Sequence, residues 1–446
     1  MMSDRPALSL SRRHPLLRRF LLREDGSGTA LAVFFMAICV GLAGFAIDLE
    51  RASTLQVQLQ AVADSAAHAA MIARSTQVEA DAKTTAVNIA TRNMPSATFG
   101  TVLSAADIQF GTWNSVSRTF TPVAGSTEAV QVTLRRTAAN SNPVRTFLMR
   151  FRGTKQLDLT RRSIMLGYDP DCLREGFVAQ GMVDIQSNNT FKNGFCIHSN
   201  SVVKVSSGNY FETGVKVSMP DKTLVQMPNS GFSSSPGLEA ALSSNRYDIR
   251  ILSRITTIID GLNAGNTLYV PSYITNRTPI SVNPSSVKKN SFQQGRMYTV
   301  TCTGNQKMTI GSDFVVTKTV VTTNCPITFS NGAKVEDAVI ATTNTDVKSI
   351  DGPNGIVLGK NDNCGTGGGA QILTMGGMSF ASGLEVYGAQ LLAVKDIAFS
   401  ASALGVKGAA FVSGGTISTT SGVTMSYCSG AGMEQNFRMI YAKLVL

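Results

Sequence analysis

Six of the seven cysteines fall in the last two thirds of the chain: Cys172, Cys196, Cys302, Cys325, Cys364 and Cys428. Thiols in such numbers suit either metal ligation or disulfide formation. A zinc site would call for CxxC-like spacing supported by histidines. That spacing is absent, and the only histidines are His14, His68 and His198. Disulfides require an oxidising compartment. Six thiols allow several connectivities. Proximity along the chain favours Cys172–Cys196 and Cys302–Cys325, which leaves Cys364–Cys428. His198 next to Cys196 has the look of a nucleophilic dyad, but an exported cysteine is better read as half of a disulfide.

Other chemistry is thinly represented. GPNGIVLGK at 352–360 resembles a phosphate-binding loop, but Asn354 stands where a glycine is required and Asn361 where Ser or Thr would follow the lysine. GTGGGA at 365–370 does not sit in a strand–turn–helix unit and reads as a flexible turn. A polysaccharide lyase or hydrolase needs carboxylates clustered on one face. Asp346 and Asp351 are five apart with no coil register to put them on one face, and solvated turn residues are the favoured account. No HExxH, GxSxG, CxxC or EF-hand loop occurs. These absences predict no catalytic, cofactor-binding or metal-binding residues, no cofactor, no small-molecule substrate and no enzyme activity.

The elements that would position these residues begin with a membrane span. TALAVFFMAICVGLAGFAI, residues 29–47, carries no charge, and at ~1.5 Å per residue it covers about 28 Å, enough for a bilayer core. Arginines precede it and Asp48 and Glu50 follow it, which predicts a cytoplasmic N-terminus and export of everything beyond. Gly44-Phe45-Ala46 offers a small-x-small cleavage site, but the leader is long and Asp48 opens a helix-favouring stretch that continues the span.

Leu55, Leu59, Val62, Ala66, Ala69 and Ala73 recur at steps of three and four, one face of a helix, which should end before Pro95. Such a small-residue face suits packing on the domain's own sheet or on a helix of another membrane protein. Beyond it, Ile108, Phe110 and Thr112, and then Val130, Val132 and Leu134, alternate as two half-buried strands with a turn-rich segment between them. PVRTFLMRFRG at 143–153 reads as a short amphipathic helix with Phe147, Leu148 and Phe151 on one side, and LDLTRRSIML as a third strand. From about Cys172, short runs such as SVVKVSS, PITFS and LLAVKDIAFS are separated by Asn, Gly and Ser. These predict a parallel β-solenoid or β-helix, with a β-sandwich as the competing architecture. No single period emerges, and a partly helical insertion interrupts the pattern around 235–290.

Forty-six residues beyond four hundred suggest two or three domains. A charged fraction of 15% beside 43% hydrophobic residues excludes a disordered chain. The formal net charge of +11 would suit nucleic acid, but it is localised. Residues 1–25 hold a net +3 and residues 135–162 a net +7, leaving the remainder nearly neutral. The second cluster lies on the exported side, which argues against nucleic acid. It is either a solvated face or a contact for anionic lipid headgroups.

Residues 23–70 resemble the N-terminal region of the TadE/TadG-like Flp (tight adherence) pilus-assembly proteins. The resemblance rests on Asp25 and Gly26, the apolar span, Asp48, Arg51, and a helix carrying Leu55, Leu59, Gln60 and Ala63-Asp64-Ser65-Ala66-Ala67. FGTW at 110–113 and AVQVTLRRT at 129–137 resemble the unit that follows in the family, and residues 196–214 resemble the continuation in TadG-type members. Processed prepilins carry Glu five residues after the cleavage glycine, and here that position is Leu31, which favours the unprocessed, TadG-type role. No DxSxS motif of a von Willebrand A-like domain occurs, so the distal part is a different β-rich module.

The resemblance implies a single-pass protein of the bacterial inner membrane with its bulk in the periplasm. It would be a structural component of pilus assembly or anchoring, in contact with membrane lipid and with other Tad/Flp proteins, TadE-like or pilin. The alternative is a membrane-anchored β-solenoid adhesin or glycan-binding protein, with a polysaccharide lyase or hydrolase behind it. The expected organisation is an Arg-rich cytoplasmic leader (1–28), the transmembrane helix (29–47), a periplasmic helix with a small α+β unit (48–167), and a distal β-rich domain (168–446).

Overall fold

The computed structural model describes residues 27–312 and 314–446, so the Arg-rich leader up to residue 26, including Gly26, lies outside the described residues. The chain divides into two units: residues up to Met71, Glu79–Leu166 and Leu444–Leu446 form the first, and Ile72–Val78 with Gly167–Lys443 the second.

The first unit is built on a helix of 48 residues, Ser27–Arg74. Its first part is long and apolar enough to cross a membrane, with Leu31, Phe34, Phe35, Ile38 and Leu42 all exposed. Beyond Asp48 the character changes to a one-sided stripe: Ala52, Leu55, Leu59, Val62, Ala63, Ala66, Ala67 and Ala70 are buried, the spacing of one helical face. The helix stops short of Pro95. At Ser75 and Thr76 the side-chain hydroxyls donate back to the carbonyls of Ile72 and Ala73, a local alternative that competes with continued helix. A second helix, Glu79–Asn93, restarts with Glu79 and Asp81 in its first turn, favourable against the helix dipole, and buries Ala82, Ala86 and Ala90.

The antiparallel sheet of this unit contains the strands expected at Ile108–Asn114, Ala129–Arg136 and Leu159–Tyr168. A further short strand, Thr119–Pro122, lies in the turn-rich segment between the first two. The long helix lies on its own unit's sheet. Gln60 Nε2 donates to the Arg162 carbonyl (3.3 Å) and Arg161 donates to Gln56 Oε1 (2.5 Å). The chain end returns here, where Ile164 N donates to Leu446 O and Val445 N to Ile164 O.

Residues 143–153 are not the amphipathic helix that their pattern suggests. Val144–Arg145 pairs antiparallel with Gln156–Leu157, and Thr146 closes the base by bonding Lys155 O and Thr154 O. The tip holds only a 3-10 turn, Met149–Arg152. Phe147 and Phe151 are exposed at 57% and 75%, so no apolar face is buried against this unit's core.

The second unit is a parallel β-solenoid, mainly an 11-stranded and a 14-stranded sheet facing each other across one apolar core. It is not a sandwich of antiparallel strands, because its ladders run parallel coil on coil. Phe177 pairs with Ile197 and Ile197 with Val217, one coil per twenty residues. The same repeat aligns Val183 with Val203 and Phe191 with Phe211. Gly194 and Gly214 mark one corner in successive coils, both at positive φ (87° and 96°), where a side chain would be strained. Later coils range from eighteen residues (Ile280 to Tyr298) to thirty-two (Ala338 to Ala370), which hides the period in the sequence.

Strand order is not chain order. In the 11-stranded sheet Gly176–Ala179, the first coil, pairs on one side with Cys196–Ser199 and on the other with Ala410–Ser413, the last. The chain winds outward from the middle as far as Leu242–Ser244, crosses to the opposite end at Ile280–Val282, and winds back to meet its start. Eight strand spacings separate Lys216–Met219 from Arg296–Val300, about 38 Å at ~4.8 Å each. The insertion around 235–290 makes this crossing. Its helix Ile255–Asn263 buries Ile255, Ile258, Ile259 and Leu262, in one cluster with Val178, Val320, Val339, Leu373, Leu392 and Val412 of the sheet. Those strands are therefore covered on both faces, and Thr319–Thr323, Ala338–Thr342 and Ala370–Thr374 are buried at every position, as parallel strands require.

Candidate functional site

Of the family-pattern residues, Asp48 and Arg51 stand at the end of the apolar span. Gly44 and Asp48, one helical turn apart, are the two buried positions there. Leu148 from the hairpin tip packs on Gly44 so closely that a Cβ would lie 2.2 Å from its Cδ1. The Asp48 carboxylate accepts three backbone bonds, from Phe147 N (2.6 Å), Leu148 N (2.8 Å) and Met149 N (2.7 Å). Burial pushes the Asp48 carboxyl upward, but these donors and nearby Arg51 outweigh it and hold its pKa below the ordinary carboxylate value. Charge-assisted bonds to backbone N–H groups are strong, so Asp48 is the point at which the hairpin is fastened to the helix.

Arg51 is exposed and lines a cleft with Ile47, Glu50, Leu55, Phe99 and Arg136. Burial and then Arg51 lower the Arg136 pKa, while its guanidinium lies over the Phe99 ring and donates to Asn142 O. Leu55 and Leu59 are core residues. Asp64 accepts from Gln60 one turn earlier and acts within the helix.

In the solenoid the cysteines are bonded Cys172–Cys196, Cys302–Cys325 and Cys364–Cys428, and Cys39 is free and exposed within the apolar part of the long helix. His198 is buried and stacked on Tyr247 with centroids 4.0 Å apart. Its ring nitrogens pair with Ser218 Oγ (2.8 Å) and Asn200 Oδ1 (2.9 Å). Burial lowers its pKa, so the ring is neutral and both nitrogens are occupied. The glycines of 365–370 do not form an open phosphate cradle, because Gly365 N donates to Asp362, Gly367 N to Glu434 and Gly368 N to Asp337. Asp351 accepts from Thr328 on the neighbouring coil, whereas Asp346 accepts backbone bonds in an exposed turn. Among the described residues no three of His, Cys, Asp and Glu gather as a metal site would require.

One functional-looking residue has no sequence signal. Glu175, fully buried, accepts from Cys428 N (2.6 Å) and from Gly430 N. Burial raises its pKa despite those donors and Arg174. It fastens the loop after the last coil to the strand that begins the first.

A long apolar helix, a small sheet fastened at Asp48 and a parallel solenoid thus stand in one chain. Residues 26–77 match the family model described as "Putative Flp pilus-assembly TadE/G-like", and residues 65–164 match "Putative Tad-like Flp pilus-assembly". The protein is of the Tad class, whose domains support a role in pilus assembly as structural components. Residues 176–429, more than half of the chain, match "Domain of unknown function (DUF7867)", and the chain belongs to that family. No curated protein and no solved structure matches it.

Proposed function

We propose that this chain is a membrane-anchored structural component of Flp pilus assembly or anchoring, with its N-terminus in the cytoplasm and both folded units in the periplasm. The observation that carries the reading is Asp48. The family-pattern acid just beyond the apolar span is committed to three backbone donors, a fastening role and not a catalytic one. Periplasmic placement is supported by the arginines before the span and by six cysteines bonded in pairs. The span serves as an uncleaved anchor, because the helix runs through the small-x-small site without a break.

The chain works by holding partners, with the first unit at the membrane and the solenoid as a second body for contact. The contacts are with other pilus-assembly components and with lipid. A reporter fusion at the C-terminus that is active only in the periplasm, together with an unchanged N-terminus on mass spectrometry of the membrane fraction, tests topology and anchoring. A cytoplasmic reporter signal would overturn the orientation, and a mature chain starting near residue 47 would overturn the anchor.

A further inference from the structure

The hairpin tip at 145–155 is built unlike the rest of the first unit. It carries Arg145, Arg150, Arg152 and Lys155 with no acidic residue among them, all exposed, and none is ion-paired to a carboxylate among the described residues. Interleaved with these are the exposed rings of Phe147 and Phe151. Arg150 lies over the Phe151 ring, 5.2 Å from its centroid. Large exposed aromatics on a water-facing loop are costly unless something covers them.

Position along the helix says what does. Leu148 rests on Gly44 and three tip amides bind Asp48, so the tip is fixed at the last turn of the apolar span and the first residue beyond it. In a chain anchored by that span, this level is the boundary between hydrocarbon and headgroups. The headgroup layer is about 5–8 Å deep on each side, and there rings prefer the interface while basic side chains reach phosphates. We propose that residues 145–155 form a lipid-binding tip, with Phe147 and Phe151 inserted at the bilayer interface and Arg145, Arg150, Arg152 and Lys155 engaging anionic phospholipid headgroups. Asp48 is its positioning residue. The inference rests on the reading of residues 29–47 as a membrane span.

The test uses the full chain in nanodiscs containing phospholipid brominated near the glycerol end of its acyl chains. Trp fluorescence of Phe151→Trp is read against the parent, whose Trp113 sets the background, and against Val116→Trp at an exposed turn of the sheet. The expected result is quenching of Phe151→Trp about twofold or more above Val116→Trp, stronger with phosphatidylglycerol than with phosphatidylcholine. Replacing Arg145, Arg150 and Arg152 by Gln should remove the dependence on lipid charge, and Asp48→Asn should weaken the quenching. Phe147→Trp serves should Phe151→Trp fail to fold.

Quenching no greater than at position 116 overturns the insertion, and quenching indifferent to lipid charge overturns the headgroup contact. Phe35→Trp, at mid-span, separates the two readings. If it is quenched by lipid brominated deep in the chain while position 151 is not, the span stands and this inference falls. If it is not quenched, the span falls and takes the inference with it.

Discussion

Arg51 stands near Asp48 in the sequence, but the three donors that fasten Asp48 lie about a hundred residues away. The family pattern singles out the aspartate, but nothing in the sequence signals that the amides of 147–149 would meet it, since backbone donors carry no residue signature. Its depressed pKa sets the sign of a pH effect. The docked hairpin is fully stabilised above the ordinary carboxylate pKa and loses that contribution as pH falls through the lowered native value. Amide protection of residues 147–149, corrected for intrinsic exchange, should therefore fall on acidification below that range, and Asp48→Asn should show low protection at every pH. His198 works the other way round in chemistry but not in sign. Its native pKa lies below the ordinary value of 6.5, so the unfolded chain takes up a proton that the native chain refuses. The solenoid's stability should decline as pH drops below about 6.5, and the decline should be shallower in His198→Gln, measured by thermal unfolding of the full chain in detergent. Glu175 was beyond reach of sequence reading, because a lone acid before a strand looks like any solvated residue until its burial is seen.

Among the elements, those held by local pattern were legible. The one-sided stripe after Asp48 and the alternation at 108–112 and 130–134 reflect which face is buried, and burial follows periodicity. The segment at 143–153 failed because an apolar spacing compatible with a helix was there for another reason: Leu148 seats on Gly44 while Phe147 and Phe151 stay exposed. The solenoid's texture was legible, but its period was not, because loops inserted between Ala338 and Ala370 stretch one coil to thirty-two residues. The twenty-residue match of residues 183–197 with 203–217 was the available signal. Where first and last coils meet, Phe177, Phe195, Phe399 and Phe411 pack ring against ring at 4.6–5.7 Å. Phe411→Ala should cost about 3–5 kcal/mol, read as a lowered denaturation midpoint of the solenoid with its slope unchanged. Cys364–Cys428 closes a separation of 64 residues, so replacing both by Ser should cost about 2–4 kcal/mol in the same measurement, and reducing agent should have little further effect at this pair.

At the scale of the whole molecule, the solenoid's outward-and-back winding could not be read from the chain. Parallel pairing of Gly176–Ala179 with Ala410–Ser413 joins segments more than two hundred residues apart, and no local feature marks it. It has a functional consequence: the solenoid begins and ends at its own middle, so its two far ends, at Leu242–Ser244 and Ile280–Val282, are free of chain termini. An extended, low-charge, disulfide-bonded body of this kind suits a part that is built into an assembly, in keeping with the Tad domains that precede it. The most direct measurement is the count of surface Flp pili, by electron microscopy, on cells lacking this chain and on the same cells with it restored. The account predicts that pili are lost in the deletion and return with the full chain. Normal pili on the deletion strain would contradict it.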